Sequence, residues 1–486
     1  MNRRDFLKTA ATTALMAGMK PAWSDDDKKL NFVFILIDDL GWRDLGCFGS
    51  TFYETPNLDR LATEGMRFTD AYAACPVCSP TRVSIMTGKY PARLATTDWF
   101  GAPQPENAHN HRTGKNKLLP PPYEAKMPLE EVTMAETFQD AGYRTFFAGK
   151  WHMGGEGYYP EDQGFELNKG GFEKGSPPSY FSPYKNPRLE DGPDGEHLPE
   201  RLSQECVRFM EAEKDNQFLL YLSMYSVHTP LRSRKDLIKK YEQKAKQLKH
   251  DGPEFIPEGK RQARQIQDHA VYAAMVESMD QAVGNVLDAL VTLGIEENTV
   301  VMFMSDNGGL STSEGSPTSN VPLRAGKGWL YEGGVREPMI VKWPGVTEPG
   351  SICDHPVIST DFYPTMLELA DLNSKPEQHC DGVSFAPLLH GAPMPNDRPI
   401  FWHYPHYGNQ GGSPGAAVRL GDYKLIEFFE DGHVELYNIA DDLSETNNLA
   451  EKLPEKATEL LQMLHNWQKS VNARFPSPNP NAAPNN

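Results

Sequence analysis

The sequence lacks any apolar run of the roughly 18 residues that a membrane span requires, so no stretch of it reads as a transmembrane helix. Cysteine is scarce, with six among 486 residues, at positions 47, 75, 78, 206, 353 and 380. So few and so scattered, they exclude a disulfide framework as the basis of the fold. Positive charge is short as well. Asp and Glu outnumber Lys and Arg by 66 to 48, and the net charge of -18 excludes general nucleic-acid binding. Any polyanionic ligand must then be met by local cations rather than by the whole surface. Cys75 and Cys78 spell C-x-x-C, but no second C-x-x-C or H-x3-H completes a zinc cage. A redox pair remains as the competing reading of that spacing, although redox chemistry does not ask for the Pro-Thr-Arg that follows.

What is present is organised around Cys78-Ser79-Pro80-Thr81-Arg82. Ser79 reads as a helix N-cap, Pro80 as the first helical residue and Gly88 as the stop, which puts Cys78 before the positive end of a helix dipole. Arg82 leans back toward the same spot from the first turn. A small reactive side chain, a helix N-terminus and a guanidinium together point to attack on a charged ester.

The rest of the chain supplies further parts in order. Asn31 to Ile37 is a continuous apolar run, the pattern of a buried parallel strand, and it ends in Asp38-Asp39. Two adjacent carboxylates call for a cation between them, and hard oxygen ligands favour Ca2+ or Mg2+. Thr133 and Glu136 form a capping box that opens a helix, and the next strand, Tyr143 to Ala148, delivers Lys150 and His152. Two apart in an extended segment, these two point the same way, which suits anion binding and proton transfer. Gln217 to Met224 leads to His228, and Thr299 to Met304 leads to Asp306-Asn307. Each group follows the carboxyl end of a strand alternating with helices, and in an open parallel sheet those ends share one ligand-binding rim. Lys327, in a glycine-rich segment, is placed to reach an anion held there. The expected fold is α/β, with a large mostly parallel sheet sandwiched by helices and a small C-terminal α+β domain.

Residues 1–24 resemble a twin-arginine export signal, with Arg3-Arg4 ahead of a weakly apolar stretch. Residues 30–392 read as the catalytic domain, 396–472 as a small antiparallel-sheet and helix domain, and 473–486 as a Pro/Asn/Ala-rich disordered tail. Eight basic residues against two acidic ones between Arg232 and Lys249 read as a solvated helix face. Trp99 and His406 are candidate sugar contacts, the latter in Trp402-His403-Tyr404-Pro405-His406, for which a domain-packing seam is the alternative.

The Cys-x-Pro-x-Arg pattern, with the blocks around it, resembles the type I sulfatases of the alkaline-phosphatase-like superfamily, over nearly all of the mature chain. The resemblance implies that Cys78 is oxidised to Cα-formylglycine, whose hydrate supplies the nucleophile. It implies one Ca2+ held by Asp38, Asp39, Asp306 and Asn307 with residue 78. Arg82, Lys150, His152, His228 and Lys327 then match sulfate-binding and proton-transfer positions, and Asp306 is placed to accept the nucleophile's proton. The implied partners are a sulfated poly- or oligosaccharide, a cytoplasmic formylglycine-generating enzyme and the export machinery, and the implied location is periplasmic or secreted. Two other readings of the same residues are a phosphodiesterase or phosphonate monoester hydrolase of that superfamily, and a sulfated-glycan receptor whose Cys78 is never oxidised.

Overall fold

The computed structural model describes residues 30–483 apart from residue 113. The export signal expected in residues 1–24 lies outside the described residues. A nine-stranded sheet forms the centre. Its strands are β1 (Asn31–Ile37), β2 (Met66–Tyr72), β3 (Arg144–Gly149), β4 (Leu167–Lys169), β5 (Phe218–Ser223), β6 (Thr299–Ser305), β7 (Arg336–Lys342), β8 (Ser351–Cys353) and β9 (Val357–Ile358). The spatial order is β8-β2-β7-β6-β1-β5-β3-β4, with β9 also paired to β2. Strands β4, β3, β5, β1 and β6 are mutually parallel, and β7 runs antiparallel to both β6 and β2.

β1 has no polar face because both of its faces are covered. Val33, Ile35 and Ile37 pack with residues of the helices Leu198–Glu213 and Ala270–Thr292, while Phe32, Phe34 and Leu36 meet those of Cys78–Thr87 and Phe362–Leu369. Burial of a side chain of this size contributes about 1.5–3 kcal/mol, and the two layers together fix the sheet between them. The helix Ala270–Thr292 opens where His269 Nδ1 accepts from the Tyr272 amide. Among the described residues no helix is long and apolar enough to cross a membrane.

A second sheet of four antiparallel strands follows, Ile400–Tyr404, Gly415–Leu420, Tyr423–Phe428 and Val434–Asn438, backed by the helix Pro454–Ser470. The first two of these strands were not expected from the sequence. A third core joins this sheet to the large one, with Trp402, Leu460 and Trp467 packed among Tyr72, Val77 and Trp329. Beneath it Lys424 lies fully buried between Glu332, at 2.8 Å, and Glu445, at 3.1 Å.

Of the tail expected to be disordered, residues 473–483 are described and make contacts with the large domain. Ser477–Pro478 pairs antiparallel with Leu118–Leu119, and Asn479 Nδ2 donates to the carbonyls of Gly114 and Asn116. Ser477 and Pro478 remain exposed, while Asn479 is buried against the segment 114–119. The basic helix Lys235–Ala245 does carry its lysines outward, where Lys240 and Lys244 pair with Glu54.

Candidate active site

Parallel register alone brings the rim residues together. Ile37 pairs with Ser305, Leu36 with Ser223, and Ser223 with Gly149. The residues one step further, Asp38, Asp306 and Lys150, are therefore neighbours. Backbone bonds continue the pairing past the strands, from Asp306 N–H to Ile37 O at 2.9 Å and from Lys150 N–H to Ser223 O at 2.7 Å.

The helix Cys78–Thr87 starts earlier than the sequence implies. Val77 is its cap residue and Cys78 its first helical one, while Ser79 Oγ is taken by the Phe100 amide at 3.0 Å. Gly88, at φ 66°, ends it as expected. Cys78 Sγ lies 3.4 Å from His152 Nδ1, and His152 Nε2 lies 3.0 Å from Phe100 O. Because a carbonyl can only accept, the ring proton sits on Nε2 and Nδ1 turns its lone pair to residue 78. His152 arrives there by a left-handed turn, at φ 55°, not by alternation along an extended segment. Burial, with Lys150 next in weight, holds its imidazole well below the usual range.

Arg82 does not face Cys78. Its Nε donates to Asp306 Oδ2 at 2.8 Å, Nη2 stands 2.7 Å from the same oxygen as an ion pair without a hydrogen bond, and Nη1 donates to Lys150 O and Ser223 Oγ. Lys150 is likewise fully buried, with Nζ 2.7 Å from Asp38 Oδ2. Lys327 Nζ stands 2.6 Å from Asp39 Oδ1, which also accepts from Asn307 Nδ2 at 2.8 Å. Burial opposes ionisation of Asp39, yet Lys327 and His228 hold its carboxyl below the usual carboxylate range. Burial pushes Asp38 well up, with Lys150 opposing.

The opposite oxygens are left over. Asp38 Oδ1, Asp39 Oδ2 and Asn307 Oδ1 are buried with no hydrogen-bond partner. An unpaired buried acceptor costs about 1–3 kcal/mol, and three on the rim residues fit a hard cation with oxygen ligands. Ligand atoms of Asp38, Cys78 and Asp306 lie within 4.8 Å of one another, as do those of Asp38, Asp39 and His228. His228 Nδ1 donates to Thr229 O at 2.7 Å, leaving Nε2 facing the site 3.7 Å from Asp39 Oδ2. Burial and Lys327 bring that imidazole down to about 3.

A cavity of about 960 Å³ opens above this floor, with Cys78, His152, His228 and Lys327 at its base and Trp99 in its wall. His406 is not part of the wall. It is buried, with Nε2 2.8 Å from Thr97 Oγ1 and Nδ1 3.4 Å from Asp98. Trp402 is buried too and donates to Ala73 O, so this segment is the domain-packing seam and not a sugar contact. Sequence reasoning missed Arg112, Ser176, Glu314 and Gln410 in the cavity wall, which lie in loops without periodicity, and Arg261, which opens a short hairpin strand.

Acids, an amide, lysines and imidazoles gathered at the carboxyl ends of a mostly parallel sheet define a hydrolase of the alkaline-phosphatase-like fold, built to act on an anionic ester. Residues 30–372 match the sulfatase family model and residues 325–473 the C-terminal model of N-sulphoglucosamine sulphohydrolase. The chain belongs to the sulfatase family and is a sulfuric ester hydrolase. It is 34% identical to a sulfatase of Formosa agariphila over 508 residues, covering 89% of this chain and 87% of that protein. It is 33% identical to N-acetylgalactosamine-6-sulfatase of Mus musculus, covering 81% and 71%. Among solved structures, Ps i-CgsB in complex with k-i-k-neocarrahexaose aligns at a TM-score of 0.73 and 28% identity, covering 90% of this chain and 93% of that one.

Proposed function

We propose that the chain is an exported sulfatase that removes sulfate esters from a sulfated poly- or oligosaccharide, using one Ca2+ and a formylglycine at position 78. The observation that carries the reading is the trio of partnerless buried oxygens on Asp38, Asp39 and Asn307, with Asp38 and Asp306 gathered beside Cys78, which lines the cavity. Asp38, Asp39, Asp306 and Asn307 would hold the ion, with residue 78 completing the set. When present, Ca2+ supplies Lewis acidity toward the sulfuryl oxygens and formylglycine supplies a hydrated aldehyde as nucleophile.

The chain's own groups do the rest. Arg82 fixes Asp306, Lys150 and Lys327 hold Asp38 and Asp39 in place, and Lys327 keeps Asp39 ionised. His152 Nδ1 faces residue 78 with a free lone pair and takes its proton. His228 presents Nε2 to the cavity beside Lys327, whose ammonium is the proton-bearing group of the two and faces the place of the departing alcohol oxygen. Trp99 offers an apolar face to a sugar ring. The carbohydrate assignment draws on the glycan named in the relatives above, and export draws on the Arg3-Arg4 pattern. Maturation by a cytoplasmic enzyme would precede export, placing the active enzyme in the periplasm or outside the cell.

Sulfate release from aryl sulfate and from sulfated oligosaccharides tests the reading, run in parallel with an aryl phosphate diester. The Cys78 peptide should be about 18 Da lighter than its thiol form, and Cys78→Ala should abolish release. A preference for the phosphate diester, or an active enzyme with an unmodified thiol, would overturn it.

A further inference from the structure

Three segments distant in sequence meet at one backbone oxygen in the cavity wall. Arg112, from the irregular loop after Ala92, and Arg261, from the hairpin Phe255–Glu258/Arg261–Arg264, both donate through Nη2 to Asn409 O, Arg261 at 2.8 Å. Sharing one acceptor puts the two guanidinium groups within about 6 Å of each other. Among the described residues neither has a carboxylate within 4.0 Å, in a chain where acids outnumber bases by 66 to 48. The other arginines nearby are paired, Arg264 with Asp268 and Glu254, and Arg324 with Glu258. The acids of the cavity wall are engaged elsewhere. Glu314 accepts from Gln410 at 2.9 Å and from Thr229 at 3.1 Å, and Glu173 from Tyr159 at 3.3 Å.

The pair is built, not incidental. Gly411, at φ 111°, lets the Arg261 stem lie so close that an added Cβ would stand 2.4 Å from its Cγ. Arg112 sits on the loop that the tail strand Ser477–Pro478 holds. Burial and the neighbouring Arg112 both lower the Arg261 pKa, the mark of two like charges held together. An anion between them would relieve that repulsion and take the donors that Asn409 leaves free. Arg261 also lines a second groove of about 500 Å³, with Phe255, Lys260 and Gln262, so it stands where the reaction cavity continues outward.

We propose that Arg112 and Arg261 form a second anion subsite, which binds a sulfate or carboxylate on a sugar residue next to the one whose ester is cleaved. This rests on the glycan-sulfatase reading above and narrows it to substrates bearing at least two anionic groups.

The test compares Arg112→Gln, Arg261→Gln and the double variant with the parent enzyme. The substrates are 4-methylumbelliferyl sulfate, a disulfated disaccharide, and a disaccharide with one sulfate and one hexuronate. The expected result is a fall of on the order of tenfold in kcat/KM for a two-anion substrate relative to the aryl sulfate. That fall is carried by KM, lessened by added salt and partly rescued by Arg261→Lys. Which disaccharide responds tells sulfate from carboxylate. Equal losses on all three substrates, or no change on either disaccharide, would overturn the subsite. Calorimetric binding of the same disaccharides to Cys78→Ala protein, with and without the arginine changes, reads the subsite without turnover. If the parent hydrolyses no sulfate ester, the proposed function fails, while binding lost on removal of the arginines still supports the subsite. Binding indifferent to the arginines, or absent altogether, ends it.

Discussion

Arg82 grips a single oxygen of Asp306 with two nitrogens, at 2.8 and 2.7 Å, and both side chains are closed to solvent. The motif arginine is therefore a brace behind the carboxylates and not a lining of the cavity. Its remaining donors hold Lys150 O and Ser223 Oγ, tying together the ends of β3, β5 and β6.

A lysine at this position can supply one point charge but not three directed bonds. Arg82→Lys should lower kcat by about 100-fold and leave Asp306 poorly compensated, at a cost of about 3 kcal/mol or more in stability. Sulfate release and denaturant unfolding check the two effects. Unchanged unfolding would show that the brace carries no weight.

Chelation should silence the enzyme and Ca2+ should restore it. At a hundredfold excess over its dissociation constant the ion should stabilise the native state by about 2.7 kcal/mol. Asn307→Ala, which removes one of the three partnerless oxygens, should raise the Ca2+ concentration needed. Thermal unfolding before and after chelation decides this, and coincident curves would exclude a bound cation.

Glu445 provides a pH dependence away from the cavity. Burial raises its carboxyl to about 7, with Lys424 opposing and Glu332 adding, and it accepts from the Glu332 amide at 2.6 Å. Folded Glu445 thus keeps a proton that the unfolded chain releases near the ordinary carboxylate value, so this contribution to stability is full at low pH and is lost as pH rises through 7. Between pH 5 and 8 the loss should be about 2–3 kcal/mol. Glu445→Gln keeps an acceptor for the amide and cannot titrate, so its unfolding profile should be flatter than the parent's over that interval. Parallel profiles would refute it.

Gly149 ends β3 at φ 105°, and a Cβ there would lie 1.8 Å from Ser223 O. Gly149→Ala must push β3 from β5 just ahead of Lys150 and His152. Activity should fall by on the order of 100-fold with about 2 kcal/mol or more of destabilisation, measured by sulfate release and urea unfolding. An alanine variant with parental kinetics would show that the rim tolerates the shift.

What was legible beforehand follows from range. β1 was readable because burial on both faces leaves an unbroken apolar run, and the rim acids were readable because they directly follow such runs. The start of the helix at Cys78 was misplaced by a tertiary bond, since Ser79 Oγ serves Phe100 instead of its own helix. His152 reaches residue 78 through a positive φ that no alternation implies. His406 and Trp402 look like exposed aromatics in sequence, and only tertiary packing buries them, Trp402 in the core beneath the second sheet and His406 against Thr97, Asp98 and Tyr123. Asn479 shows the limit of composition, because its partners lie more than 360 residues away.

The ladder between Ser477–Pro478 and Leu118–Leu119 makes this C-terminal stretch of chain part of the wall that carries Arg112. Trimming the protein before that stretch, or hanging a bulky fusion from it, would alter which substrates are accepted before it altered the chemistry. For anyone producing this enzyme, the choice of where to attach a handle is a choice about selectivity.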